Sequence, residues 1–349
     1  MKKKKDIRAK ILSFGILTIA TVCIFLLLIL SVGSDIGKAL QGFWKGAFGS
    51  TYSIGEVLVK AAPLILCGLS VAVGSHSGFT NIGAEGQFYV GATVATAIGM
   101  YGTMLPGWLL LPLSIVLGFL AGGLWAMIPG ILKAKLGISE VLNTIMFNYI
   151  ATGIVGILLQ TVLKDPSGYF PVSAKMPAEM NLPVILPKTR LHAGLIVALV
   201  CVVIVYVLIY RTYPGFKIRA VGQNARACLC SGIDVGKSLI LSSLLSGGFA
   251  GLAGACEIAG LQHKLMDGIS PGYGYLAIVA ALLGGNNPVG IVFASVGIAI
   301  LQVGASGMQR SAGVPTSISN ILLGSLVLLL IGRLMMEKKL RKGVKKHVA

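Results

Sequence analysis

The stretch ILSFGILTIATVCIFLLLILSV (Ile11–Val32) carries no charged residue. It is longer than the ~20 residues a helix needs to cross ~30 Å of hydrocarbon. Nine further apolar cores follow, at 57–74, 87–104, 107–132, 140–163, 192–210, 238–261, 273–285, 289–306 and 318–335. The chain has 349 residues, of which 55% are hydrophobic and 11% charged. A soluble domain carries roughly 25% charged residues. The pattern therefore predicts an all-α polytopic membrane protein of about ten transmembrane helices, with residues 1–349 forming one membrane domain. The basic segment MKKKKDIRAK before the first core resembles the n-region of a signal peptide. The core behind it exceeds a cleavable h-region, so a retained first helix is expected.

A net charge of +18 in a soluble protein would point to nucleic acid. Here the segments around 1–10, 133–135, 211–237 and 333–346 hold 20 of the chain's 29 Lys and Arg. The interleaved aromatic and basic residues of a nucleic-acid surface are missing, so no nucleic-acid partner is expected. Lys and Arg accumulate on the cytoplasmic side of membrane proteins. This predicts a cell-membrane protein with both termini cytoplasmic: a basic N-terminus (1–10), an external Pro-rich loop (164–191), an internal basic loop (211–237) and a basic tail (336–349). Six cysteines lie in apolar spans or in the basic loop, which argues for free thiols.

Enzyme signatures are weak. GIDVGKS (Gly232–Ser238) resembles a phosphate loop, but only three residues separate Gly232 from Gly236 and no strand precedes it. The motif requires four. The four histidines lack metal-ligand spacing. No metal, no cofactor and no catalytic residue is expected.

The polar residues inside the apolar chain carry more information. FTNIGAEGQFYVGA (Phe79–Ala92) sets Asn81, Glu85 and Gln87 among Gly83, Gly86 and Gly91. A carboxylate facing lipid is costly. A glycine-interrupted polar break is the mark of a discontinuous helix lining a cavity; a hydrated cytoplasmic turn is the alternative. In ISEVLNTIMFNYIA, Glu140, Thr144 and Asn148 recur every four residues with Asn143 beside them, so the stripe shares one helix face. Hydrogen bonding between helices and a substrate path explain it equally well. In LLSGGFAGLAGACEIAGLQ, Gly247, Gly251, Ala255 and Ala259 form a small-residue packing ridge ending near Glu257 and Gln262. A faint echo between NIGAEGQFYVGATVATAI and SPGYGYLAIVAALLGG, which contains Tyr273, would place a 5+5 inverted repeat across the chain.

These segments, with EVLNTIMFNYIA, YPGFKIRAVGQNARACLCSGIDVGKS and GYGYLAIVAALLGGNNPVG, resemble the permease subunits of bacterial ABC importers for nucleosides and simple sugars. These permeases sit within the wider branched-chain amino-acid permease family. The likeness runs from about Gly46 to Gly332. It implies a second permease subunit in a heterodimer, a separate ABC ATP-binding subunit that hydrolyses ATP, and an external substrate-binding lipoprotein that delivers a nucleoside to the permease for passage across the lipid membrane. It also implies a cytoplasmic docking helix near Val221–Ile233, with Arg219, Gln223, Asn224 and Arg226 as ATPase contacts. Asn81, Gly83, Glu85, Gln87, Asn143, Asn148, Glu257, Gln262 and Tyr273 are then the residues expected to line or gate the path. A permease for ribose or galactose is one alternative. An ion-coupled secondary transporter using Glu85 and Glu257 is another.

Overall fold

In the computed structural model, residues 23–27, 29–102, 105–318, 320–325 and 328–329 are described. The N-terminal basic segment, most of the expected 11–32 span, part of the 318–335 span and the basic tail lie outside them. The chain falls into two compact units, Met1–Ile54 with Ile298–Ala349, and Gly55–Gly297.

In the first unit, α1 (Cys23–Ser31) and α2 (Ile36–Phe48) are bent by 116° about a short break. Asp35 caps α2 by accepting from Lys38 N at 2.9 Å, satisfying a donor that the first turn leaves free. Gly46 packs so closely on the C-terminal half of α12 (Pro288–Ala312) that a Cβ there would stand 2.7 Å from Gly307 Cα.

The second unit contains α3 (Thr51–His76), α4 (Ala84–Tyr101), α5 (Gly107–Leu136), α6 (Glu140–Gln160), α7 (Gly194–Arg211), α8 (Tyr213–Gln223), α9 (Ala225–Cys230), α10 (Val235–Glu257) and α11 (Tyr273–Leu283), and the start of α12. Its centre is the α4–α5–α10 packing. The expected ridge makes it: a Cβ on Gly122 of α5 would come within 2.5 Å of Gly247 O and 2.6 Å of Gly251 Cα. A Cβ on Gly91 of α4 would run into the Gly251 backbone. In a membrane, where no hydrophobic force drives helices together, such close backbone approach supplies the association energy. Ala259, the last residue of the ridge, lies in a π-helical turn (Ile258–Gln262) that continues α10 and ends at His263 with φ +55°.

Six helices among the described residues are long and apolar enough to cross a membrane: α3, α5, α6, α7, α10 with its π extension, and α12. Counting α1 and α2 as one bent span gives seven. The expected count of ten is not confirmed: two of the expected spans, 11–32 and 318–335, fall partly outside the described residues, and two more fall short of a full apolar span for physical reasons. The first turn of α4 carries Glu85 and Gln87, and the rest of the helix is rich in Gly, Ala and Thr, which dilutes its hydropathy. At 1.5 Å per residue the eleven residues of α11 span only about 16 Å, roughly half of a hydrocarbon core.

The Pro-rich connection between α6 and α7 is pinned along the segment that follows α10. Leu182 N donates to Ala259 O, Met176 N to His263 O and Ser173 N to Leu265 O, each at 2.8 Å. His192 closes this connection, buried, with its Nδ1 accepting from Gly194 N at 3.2 Å. Burial, helped by the neighbouring His263, pulls the His192 imidazole down from 6.5 to about 4. The fold thus holds the neutral ring while the unfolded chain takes up a proton. The stabilisation is complete above pH 6.5 and is lost as pH falls from 6.5 towards 4, by at most about 3 kcal/mol. Protection factors of amides 173–193 against hydrogen exchange, corrected for the intrinsic pH dependence of exchange, should fall across this window. A His192→Gln variant should show a clearly smaller pH dependence, the remainder coming from His263, whose imidazole is also lowered by burial.

Candidate functional site: a broken helix between two helix N-termini

Helix α3 ends in a left-handed turn. Gly78 has φ +77°, Phe79 N donates to Gly74 O at 3.0 Å and Gly78 N to Ser75 O at 3.1 Å, the double closure that satisfies the last carbonyls of a helix. Five residues later α4 begins. The segment between them is held by side chains from α3, α4, α5, α6 and α10.

Asn81 organises its centre and is fully buried. Its Nδ2 donates to Gln87 Oε1 at 2.8 Å and to Ser246 Oγ at 2.9 Å, and lies 3.3 Å from Ser70 Oγ. Its Oδ1 accepts from Gly83 N at 2.9 Å and from Gln87 Nε2 at 3.0 Å. The two carboxamides thus face each other head to head, and Ser246 Oγ donates onward to Ser70 O at 2.6 Å. Every polar atom of the Asn81 side chain is satisfied inside an otherwise apolar bundle, as buried polar groups require.

The α6 stripe holds the same segment from the other side. Glu140 Oε1 accepts from Thr80 N at 3.3 Å, Thr144 Oγ1 from Ile82 N at 3.3 Å and Asn148 Oδ1 from Gly86 N at 2.8 Å. Asn148 Nδ2 also donates to Ile82 O at 2.9 Å and lies 3.3 Å from Tyr275 OH on α11. Glu140 is paired with Lys133 at 2.6 Å, and Lys133 Nζ donates to Gly78 O at 2.5 Å.

Glu85 lies in the first turn of α4, and its Oε2 accepts from Gly274 N at 2.7 Å, in the first turn of α11. Its carboxylate therefore sits between the positive ends of two helix dipoles. The approach is so close that a Cβ on Gly274 would stand 2.6 Å from Glu85 Cα. The two segments whose sequences faintly echo each other meet here at their N-termini. Tyr273, also buried, places its ring 6.0 Å from that of Phe88.

Asn81, Gly83, Glu85, Gln87, Asn148 and Tyr273 thus belong to one constellation. Asn143 stands one step off the stripe, with its Nδ2 buried and without a hydrogen-bond partner. Glu257 and Gln262 form a separate pair at the π turn: Gln262 Nε2 donates to Glu257 Oε1 at 3.2 Å, while Glu257 Oε2 is buried and unpartnered. Sequence reasoning missed Ser70, Ser246 and Gly274. A lone serine in an apolar run gives only a faint signal, and a backbone donor gives none.

The expected docking residues fall on two helices. Arg219 is in α8, partly buried, with its guanidinium 5.4 Å from the centre of the Tyr210 ring. Gln223 ends α8 and is exposed. Asn224 breaks the helix and caps α9, accepting from Ala227 N at 3.1 Å. Arg226 is exposed on α9.

The family profile described as branched-chain amino acid transport system / permease component matches residues 53–331. The guanosine ABC transporter permease protein NupP of Bacillus subtilis is 38% identical over 91% of this chain and 93% of its own. The glucose ABC transporter permease protein TsgB13 of Haloferax volcanii is 36% identical over 81% of this chain and 77% of its own. The nucleoside ABC transporter permease protein NupB of Lactococcus lactis is 34% identical over 87% and 85%. No solved structure matches. With four-fifths of its length under one profile and a polar broken helix inside a multi-pass bundle, this chain belongs to the branched-chain amino acid transport system permease family.

Proposed function

We propose that this chain is the membrane-spanning subunit of an ATP-driven importer of nucleosides. The observation that carries the reading is its 38% identity, along nearly its whole length, to a guanosine permease. In this reading the chain forms a single permease domain that pairs with a second permease. An ABC ATP-binding subunit docks on α8 and α9, and an external binding lipoprotein delivers the nucleoside. The six long helices, α4, the half-length α11 and the two terminal runs Ile11–Val32 and 318–335 make ten spans with both termini in the cytoplasm.

The meeting of α4 and α11 at Glu85 supports a path at this level. In carriers with interrupted helices, facing helix N-termini mark the permeation site. A neutral nucleoside rich in donors and acceptors suits a path edged by Asn81, Gln87, Asn148 and Tyr273, with Glu257, Gln262 and Asn143 further along. The glucose permease relative supports a second reading, import of a simple sugar such as ribose or galactose. An ion-coupled carrier fits poorly with relatives named as ABC transporter permeases.

Uptake of radiolabelled nucleosides, with ribose and galactose alongside, tests the reading in cells carrying this chain and its transporter partners. Arg226→Glu should cut nucleoside uptake by roughly tenfold or more, the scale of one or two lost charged contacts at a docking surface, with the protein still in the membrane. Sugar uptake in place of nucleoside uptake would favour the second reading. Uptake that survives ATP depletion but not an ionophore would overturn both.

A further inference from the structure

One buried side chain carries the packing between the broken segment and the docking helices. Phe79 follows the turn at Gly78 and precedes Asn81 by two residues. Its ring is fully buried in a small cluster with Val221 of α8, Cys228 of α9 and Leu239 of α10. Lys133 stands on the same ring, its Nζ 5.9 Å from the centroid, while also bonding Gly78 O and Glu140. Beside the cluster, the last turn of α8 presses on the end of α3: a Cβ on Gly222 would lie 3.1 Å from Gly78 N and would collide with His76 O. Movement of α8 and α9 therefore cannot leave Phe79 in place without opening a void in a packed cluster, which costs the lost contacts and the cavity together. What moves Phe79 also moves the backbone that carries Asn81.

We propose that Phe79 is the positioning residue that passes displacement of α8 and α9 to the Asn81–Glu85 break. This inference rests on the importer reading above. It makes Phe79 the mechanical link between the ATPase-facing helices and the path, with Lys133 holding the same loop against α6 through Glu140. Removing the ring leaves both ends of the machine in place and empties the cluster between them, so that only the backbone contact at Gly222 remains.

The test uses the complete transporter, this full chain with its partner subunits, reconstituted in liposomes. ATP hydrolysis and nucleoside uptake are measured on the same vesicles. Phe79→Ala should leave hydrolysis within about twofold of the unsubstituted complex and lower uptake per ATP by roughly tenfold or more, in the usual range of coupling between two sites. Phe79→Leu, which refills most of the cluster, should restore most of the ratio. A ratio unchanged in Phe79→Ala would overturn the inference. So would a parallel fall of both activities that Phe79→Leu does not correct, because that is the behaviour of a residue serving only stability. An unsubstituted complex without ATP-dependent uptake would overturn the importer reading itself and this inference with it.

Discussion

Asn81→Ala should remove both transport and much of the stability of the α3–α4 break. The substitution strands Gln87 at both ends of its carboxamide, and deprives Gly83 N and Ser246 Oγ of a partner. Each buried group left unsatisfied costs about 1–3 kcal/mol. Several such groups at one point exceed what repacking can recover. The isosteric Asn81→Asp is the sharper variant. It keeps the acceptor towards Gly83 N and Gln87 Nε2 but brings a second oxygen, or a buried charge, against Gln87 Oε1 and Ser246 Oγ. Both variants should lower the thermal midpoint of the purified protein by several degrees and cut uptake by roughly tenfold or more. Wild-type stability and uptake in Asn81→Asp would show that the head-to-head carboxamide pair has no structural role.

Gly251→Leu should prevent accumulation of folded protein. The glycine faces Gly118 O and lies against Gly122, where even a Cβ would sit 2.9 Å from Gly122 Cα and 3.0 Å from its nitrogen. The neighbouring atoms are backbone, so no rotamer change can make room. Overpacking a core ordinarily costs about 1–3 kcal/mol. Here two helices must separate, and with them the α4 contact at Gly91 that sets the position of the break. The comparison is Gly156 of α6, which has open space where a Cβ would go. Size-exclusion profiles of detergent extracts should lose the monodisperse peak for Gly251→Leu and keep it for Gly156→Ala. A normal peak for Gly251→Leu would mean that α5 and α10 are not packed as described.

Much of this architecture could be read from residue order. Apolar runs locate the long helices because length and hydropathy alone decide whether a segment can cross a bilayer. The i, i+4 spacing of Glu140, Thr144 and Asn148 foretold a shared face, and the ridge from Gly247 foretold a tight contact. The stripe left two explanations open, and its bonds to Thr80, Ile82 and Gly86 give it a definite structural task. The less legible parts depend on partners that are far away or carry no side chain. Gly274 reaches Glu85 through a backbone N–H, which any residue possesses. Ser70 and Ser246 are single hydroxyls whose polarity is swamped by their neighbours. The cytoplasmic segment expected to dock an ATPase reads in the sequence as one short helix near Val221–Ile233. It is divided at Asn224, because an asparagine side chain that can cap a following helix competes with continuation of the preceding one.

The α6 contacts have a kinematic consequence. The bonds from Glu140, Thr144 and Asn148 lie on successive turns of one helix, so they share a common pitch. A slide of the segment along α6 by less than one turn spoils the geometry of all of them at once, with nothing new to replace them. The segment therefore has no gentle intermediate positions against α6. It either rides with that helix as cargo or lets go in a single click, like a catch whose teeth disengage together.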